Sequence, residues 1–284
     1  MVNMNIYDVF DHYEYKAFKN KYFNGIIGLD YVIKEMFAIY ALMQINKIKI
    51  KQGLPIKKQA LNMIFYGNPG TGKTTVARKV ADMFRDIGYL SKGHLIEIDR
   101  SDLIGEYVGQ TSIKTKRILE QARGGVLFID EAYSLYNEDY HDFGNEAIDI
   151  ILKFVEDHHE DFIVILAGYK EKIEVMLDNN KGLNSRFPLK LFFDDYSIIE
   201  LKQIFAATIK MNGYELTTGL EKKIYQYLNE LGKKNSLLLK FNGRFVRNTV
   251  ENIIRHHDMR IYLDKRNMNN LLVLDDADFY IKKS

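Results

Sequence analysis

The sequence predicts an α/β domain built on a parallel sheet, followed by a smaller helical domain. Three observations carry that expectation. Short apolar runs alternate with helical stretches between Leu61 and Phe193. The third and fourth of these runs, Gly125–Asp130 and Phe162–Ala167, are apolar almost throughout, as strands covered on both faces require. After Asp194-Asp195-Tyr196 the strand-like runs cease and helical spacing continues.

In chain order, residues 1–24 are polar and aromatic with no clear period. From Asp30, Ile33, Met36, Phe37, Tyr40 and Met43 recur at helical spacing, and the pattern decays into a basic loop, Lys47 to Lys58, with Gly53 and Pro55. The expected strands are Leu61–Tyr66, Leu95–Asp99, Gly125–Asp130, Phe162–Ala167 and Leu189–Phe193. The helices between them are Lys73–Ile87, Ser112–Ala122, Asn145–Asp157 and Glu171–Asp178. Helical spacing then covers Ile198–Met211, Thr218–Leu231 and Arg244–Asp264. A boundary near residue 195 gives domains at 1–195 and 196–284, with no low-complexity linker and no solenoid repeat.

With 284 residues the chain can bury roughly three quarters of its unfolded surface, so it needs no staples. It has no cysteine, which excludes disulfides, thiolate zinc sites and cysteine nucleophiles. No apolar run approaches the ~18 residues of a membrane span, and the N-terminal stretch lacks the charged-then-apolar pattern of a secretory signal. A cytoplasmic location is the expectation. Forty basic and thirty-eight acidic side chains give a net charge of +2, which speaks against a dedicated nucleic-acid binder.

The strongest chemical signal is Gly67-Asn68-Pro69-Gly70-Thr71-Gly72-Lys73-Thr74, followed by Thr75. It fits the phosphate-loop pattern G-x-x-x-x-G-K-[ST] and stands between a strand and an amphipathic helix, as that pattern requires. Glycines let backbone N–H groups converge on phosphate oxygens, and the helix N-terminus adds its positive end. Lys73 would reach the β- and γ-phosphates of ATP and Thr74 would ligate Mg²⁺. The second signal is the apolar run ending in Asp130-Glu131. Two acids at a strand end are costly unless used. Beside a phosphate loop, Asp130 can hold Mg²⁺ through its water shell and Glu131 can polarise the attacking water.

These motifs point to the AAA+ ATPases, and further stretches narrow the resemblance. Ile96–Thr111, Ile113–Lys116, Gly125–Leu135, Asp142–Gly144 with Glu146–Asp149, Val164–Tyr169, Gly182–Phe187 and Phe241–Asn248 resemble the CbxX/CfqX branch. That branch includes stage V sporulation protein K-like ATPases and red-type Rubisco activases, and the resemblance covers roughly residues 24–284. It implies a five-stranded sheet of order 5-1-4-3-2, a C-terminal helical lid, and a homo-oligomeric, hexameric ring. It also implies an arginine finger at Arg186, a lid arginine at Arg244 with Arg247 beside it, an adenine-side element at Ile27-Gly28, and a pore loop bearing Tyr107. One departure stands out: Ala167-Gly168-Tyr169 occupies the region where many AAA+ proteins carry a polar sensor, leaving Tyr169 as the nearest candidate.

The leading function is Mg²⁺-dependent ATP hydrolysis that drives remodelling or threading of a protein client. A composition rich in Lys, Ile, Asn and Tyr fits an AT-rich, spore-forming source and a sporulation role. An ATP-driven nucleic-acid motor and a nucleotide-gated scaffold are the alternatives. Glu106-Tyr107 offers an acid and an aromatic without lysine, poorly suited to phosphate tracking. Intact Lys73, Asp130 and Glu131 speak against the scaffold. His158-His159 reads as a solvated turn rather than a metal site.

Overall fold

The computed structural model describes residues 12–56, 59–105, 107, 109–137, 143–263 and 270–280. The chain divides into two compact units, residues 1–67 with 73–193, and residues 68–72 with 194–284.

The first unit is built on β1 (Met63–Gly67), β2 (Leu95–Ile98), β3 (Val126–Ile129), β4 (Ile163–Gly168) and β5 (Leu189–Phe193). Their order is β2-β3-β4-β1-β5, the expected 5-1-4-3-2, and every pairing is parallel. Alternating side chains fill two cores. Met63, Phe65, Val126, Phe128, Ile163 and Ile165 face one. Ile64, Tyr66, Leu127, Ile129, Val164 and Leu166 face the other. Each such side chain contributes about 1.5–3 kcal/mol when fully buried, so a one-residue slip would misplace a whole face.

The first core is closed by α1 (Tyr13–Tyr22), α2 (Asp30–Lys51) and α3 (Lys73–Ile87). In α3, Val76, Ala77, Val80, Ala81, Phe84 and Ile87 form one buried stripe. The second core is closed by α5 (Gln110–Ala122), α6 (Gly144–Asp157), α7 (Lys170–Asn179) and α8 (Lys181–Arg186). A four-residue helix, α4 (Arg100–Leu103), precedes α5.

The structure corrects the sequence reading in three places. Residues 13–22 form a helix whose Tyr15, Phe18 and Tyr22 pack into an aromatic cluster with Phe37 and Tyr40. The basic run is not loop from Lys47, because α2 continues to Lys51; only Val32, Ile33, Met36 and Ile39 of that helix are buried. Lys57 and Lys58 lie outside the described residues. The C-terminal unit also carries a two-residue parallel pairing, β6 (Glu215–Leu216) with β7 (Val273–Leu274).

The remainder of that unit is α9 (Ile198–Met211), α10 (Thr218–Lys233) and α11 (Asn242–Leu263). A Ser197/Glu200 capping box starts α9 and Thr217 caps α10. Leu201, Phe205, Ile209, Leu220, Ile224, Leu228, Val246 and Val250 form its core. The buried Asp278 carboxylate ties the last segment to α11 through Arg260 Nε at 2.7 Å and His257 Nδ1 at 3.1 Å. Among the described residues no helix is long and apolar enough to cross a membrane.

Candidate nucleotide site

Parallel order puts the carboxyl ends of all five strands on one edge of the first unit, where open α/β sheets bind ligands. Gly67 ends β1 there and Lys73 opens α3. Between them Gly70 (φ +76°) and Gly72 (φ +92°) adopt left-handed backbone that L side chains avoid. A Cβ at Gly70 would lie 2.6 Å from the backbone nitrogen of Arg244 and closer still to the Phe241 carbonyl. Thr71 is buried and donates to the Asn68 carbonyl at 2.8 Å, bracing the loop from within. Asn68 and Pro69 are half-buried, and Thr75 is exposed. Lys73 is buried, and its Nζ donates to the Gly67 carbonyl at 2.8 Å, so its ammonium is turned back over the loop.

Thr74 Oγ1 donates to Glu97 Oε1 at 3.2 Å, and Arg78 donates to Glu97 Oε2 at 3.0 Å. Glu97 escaped the sequence reading. Its signal was an acid inside the otherwise apolar run Leu95–Ile98.

Asp130 follows β3 and is half-buried. Its N–H donates to the Ile98 carbonyl at 2.9 Å, and its Oδ1 accepts from the Glu131 N–H at 3.0 Å. Glu131 sits at φ +48°, ψ +38°, a left-handed turn that leaves its carboxylate exposed past the strand end. Burial, then the Glu131 charge and the neighbouring Tyr169, pushes the Tyr133 hydroxyl up to about 12. The Tyr133 and Tyr169 rings lie 6.0 Å apart, with Lys172 Nζ 4.6 Å from the first and 5.4 Å from the second. A Cβ at Gly168 would meet Tyr133 Cδ1 at 2.7 Å. The Tyr133 ring therefore fills the space that a side chain at the end of β4 would need.

The parallel sheet thus brings the phosphate-loop pattern, Lys73, Thr74, Asp130, Glu131 and Tyr169 to one edge. Thr74 and Asp130 offer hydroxyl and carboxylate oxygens, the hard donors Mg²⁺ takes. Arg186 is elsewhere. It ends α8, ahead of β5, and its Nη2 donates to Glu156 Oε2 at 2.6 Å. Arg244 and Arg247 are exposed on α11. Ile27 and Gly28 are half-buried at the start of α2, where Gly28 (φ +65°) and Leu29 (φ +59°) turn the chain.

Tyr107 is 67% exposed. The stretch around it is held at its base: Gly105 N–H donates to Thr111 Oγ1 at 3.0 Å, and Lys114 Nζ to the Ser101 and Ile104 carbonyls at 2.6 and 3.0 Å. Glu106, Val108 and Asp142 lie outside the described residues. His158 stacks on Phe154 with ring centroids 4.0 Å apart, and among the described residues no three candidate ligands cluster to hold a metal.

The profile of the "ATPase family associated with various cellular activities (AAA)" matches residues 63–195, and that of the "AAA lid domain" matches 197–284. The chain is 43% identical over 264 residues to "Stage V sporulation protein K" of Bacillus subtilis, covering 93% of this chain and 82% of that one. It is 41% identical over 238 residues to "Ribulose bisphosphate carboxylase/oxygenase activase, chloroplastic" of Cyanidioschyzon merolae, covering 84% and 80%. It is 40% identical over 240 residues to "Protein CfxQ" of Xanthobacter flavus, covering 84% and 74%. In fold it resembles two solved mutants of Thermotoga maritima RuvB, with TM-scores of 0.53 and 0.55 at 20% and 18% identity. These matches cover 83% and 86% of this chain and 65% and 68% of those, about two thirds of their length. A nucleotide-binding loop on a 5-1-4-3-2 sheet, a lid, and relatives at about 40% identity converge: the chain belongs to the AAA ATPase family, in the group of stage V sporulation protein K, CfxQ and Rubisco activase, and it binds and hydrolyses ATP.

Proposed function

We propose that the chain works as a ring, hexameric by family resemblance, that spends ATP to remodel or thread a protein client. The observation that carries this reading is the shared sheet edge bearing Lys73, Thr74, Asp130 and Glu131. The loop N–H groups and Lys73 bind the phosphates, and Ile27-Gly28 lies on the adenine side. Thr74 and Asp130 hold Mg²⁺, which supplies charge neutralisation at the phosphates. Glu131, carried past the strand end by its left-handed backbone, takes a proton from the attacking water. Arg186 and Arg244 supply positive charge where the transferring phosphoryl group develops negative charge. Arg186 acts on a neighbour's nucleotide.

Exposed Tyr107 favours a protein client, because an exposed aromatic between Gly105 and Gly109 in sequence gives a broad, sequence-tolerant grip. The 43% identity to a protein named for stage V of sporulation supports a sporulation-related role, and dependence on ATP supports a cytoplasmic one. Glu131→Gln keeps size and removes the base. ATP binding should persist while turnover falls by roughly 10²–10⁴-fold. The variant, loaded with ATP, should then retain the client in a pull-down. Wild-type turnover by Glu131→Gln would end this mechanism.

A further inference from the structure

Residues 68–72 pack with 194–284, although β1 and α3 flank them in sequence. Asn68, Gly70 and Thr71 are each hydrogen-bonded into that unit. Asn68 Nδ2 donates to both Asp195 oxygens, at 2.8 and 2.9 Å. The Gly70 carbonyl accepts from the Gly243 N–H at 3.0 Å. The Thr71 carbonyl accepts from the Tyr196 hydroxyl at 3.1 Å. Burial, then the Glu200 charge, pushes that hydroxyl up to about 12, so it stays a donor at neutral pH.

Behind these contacts stands Asn242, fully buried. Its Nδ2 donates to Asp195 Oδ1 at 2.7 Å and to the Lys240 carbonyl at 2.9 Å, and its Oδ1 accepts from the Tyr196 N–H at 2.8 Å. Both amide donors and the acceptor are therefore engaged. The backbone of Asn242 lies at φ +49°, ψ −128°, a region that favours glycine. Strain of this kind persists where the surroundings over-determine it. A residue that merely capped α11 would bond its first-turn N–H groups. Asn242 instead turns its amide toward Asp195, Tyr196 and Lys240.

We infer that Asp195 and Asn242 are positioning residues for nucleotide binding. The Asp195 carboxylate clamps the amides of Asn68 and Asn242 together. It thereby fixes the path of residues 68–72 and the start of α11, with Arg244 two residues further on. The inference rests on the reading of residues 67–74 as the phosphate loop.

The test uses full-length variants and a fluorescent ATP analogue with Mg²⁺. Asn242→Asp sets a second carboxylate against Asp195, and Kd should rise about tenfold or more, the scale of a lost hydrogen bond to a charged group. Adding Asp195→Asn restores a donor opposite an acceptor, and Kd should return to within about threefold of wild type. Asn68→Ala removes one arm of the clamp without touching the lid core, and should raise Kd roughly three- to tenfold. A residue important for folding alone would lower the thermal midpoint and leave the Kd of the folded protein unchanged. Lys73→Ala runs alongside and should abolish binding. Unchanged Kd in Asn242→Asp and Asn68→Ala, with binding lost in Lys73→Ala, overturns the inference and leaves the loop reading standing. Unchanged Kd in Lys73→Ala overturns the loop reading itself. Should Asn242→Asp fail to fold, Asn68→Ala decides between the same outcomes.

Discussion

The side chain of Asn62 donates to the carbonyl of Arg186 at 3.0 Å, while its own Oδ1 accepts from the Val164 N–H at 2.9 Å. Asn62 stands ahead of β1, so this amide holds Arg186 at the amino-end edge of the sheet. The phosphate loop leaves the other end of the same strand. Five residues at about 3.3 Å each put Gly67 roughly 16 Å away along β1. That is beyond the reach of one arginine side chain, and it supports a role for Arg186 on a neighbouring subunit's nucleotide. Asn62→Ala strands the buried Val164 N–H, which should cost about 1–3 kcal/mol in denaturant unfolding. It should also slow ATP turnover in the assembled protein without weakening ATP binding. Equal losses in affinity and turnover would tie Asn62 to the subunit's own site.

Glu156 holds the Arg186 guanidinium from the same subunit at 2.6 Å. The Arg186 hydrogen bond and charge keep the Glu156 carboxyl below its ordinary range. A carboxylate with a depressed folded value contributes above its unfolded value and loses that contribution as pH falls through the folded one. The pair is therefore intact at neutral pH. On the proposed shared site, Arg186 would leave this pair to serve a neighbour. Glu156→Ala should raise ATP turnover at limiting protein concentration by less than about fivefold, the range of an exposed ion pair. Slower turnover would make Glu156 a support for the finger instead of a restraint.

The fold was legible because its signals are local. Gly125–Ile129 and Phe162–Ala167 are apolar throughout, and Gly67–Thr74 puts spacing, strand and helix into one stretch. Helix α1 was missed because its core-facing Tyr15, Phe18 and Tyr22 alternate with charged residues in an aromatic-rich stretch. Their burial depends on Phe37 and Tyr40, which are distant in sequence. The same holds at the site. Glu97 meets Thr74 across 23 positions, Arg186 meets Glu156 across 30, and Asn242 meets Asp195 across 47. No periodicity encodes such pairings. The departure from an Asn at the end of β4, with Ala167-Gly168-Tyr169 in its place, was legible, but the packing of the Tyr133 ring against Gly168 was not.

The buried Asp278 carboxyl gives the C-terminal unit a pH dependence. Burial pushes it up, but donors from Arg260, the Asp275 N–H and His257 outweigh burial and hold it below the ordinary range. Its folded value is depressed, so its contribution is complete above the unfolded value of about 3.9 and is lost as pH falls through the folded value. Asp278→Asn removes the buried carboxylate that Arg260 and His257 share, while Asp275 still pairs Arg260 at 3.0 Å, and should destabilise the unit by about 1–3 kcal/mol at neutral pH. The variant should also show a flatter loss of stability in acid, measured by urea unfolding between pH 3 and pH 7, than the wild type shows. Parallel acid limbs in the two proteins would remove Asp278 from the account.

A shared site has a consequence that a self-contained one lacks. Arg186→Ala subunits retain a sound phosphate loop, and Lys73→Ala subunits retain a sound finger. Each protein alone should hydrolyse ATP poorly, for opposite reasons: the first binds ATP almost normally, and the second does not bind it. Mixed, the two give rings in which some interfaces set an intact loop against an intact Arg186, so partial turnover should return. It should remain below wild type, because defective neighbours interrupt any coordinated cycle. Activity of the wild-type protein should rise with concentration as subunits associate, and the recovery in mixtures should follow the same concentration dependence. Full activity of Arg186→Ala as a dilute monomer would refute the shared site. Arg186 would then be left as the guanidinium that closes α8 onto Glu156 and nothing more.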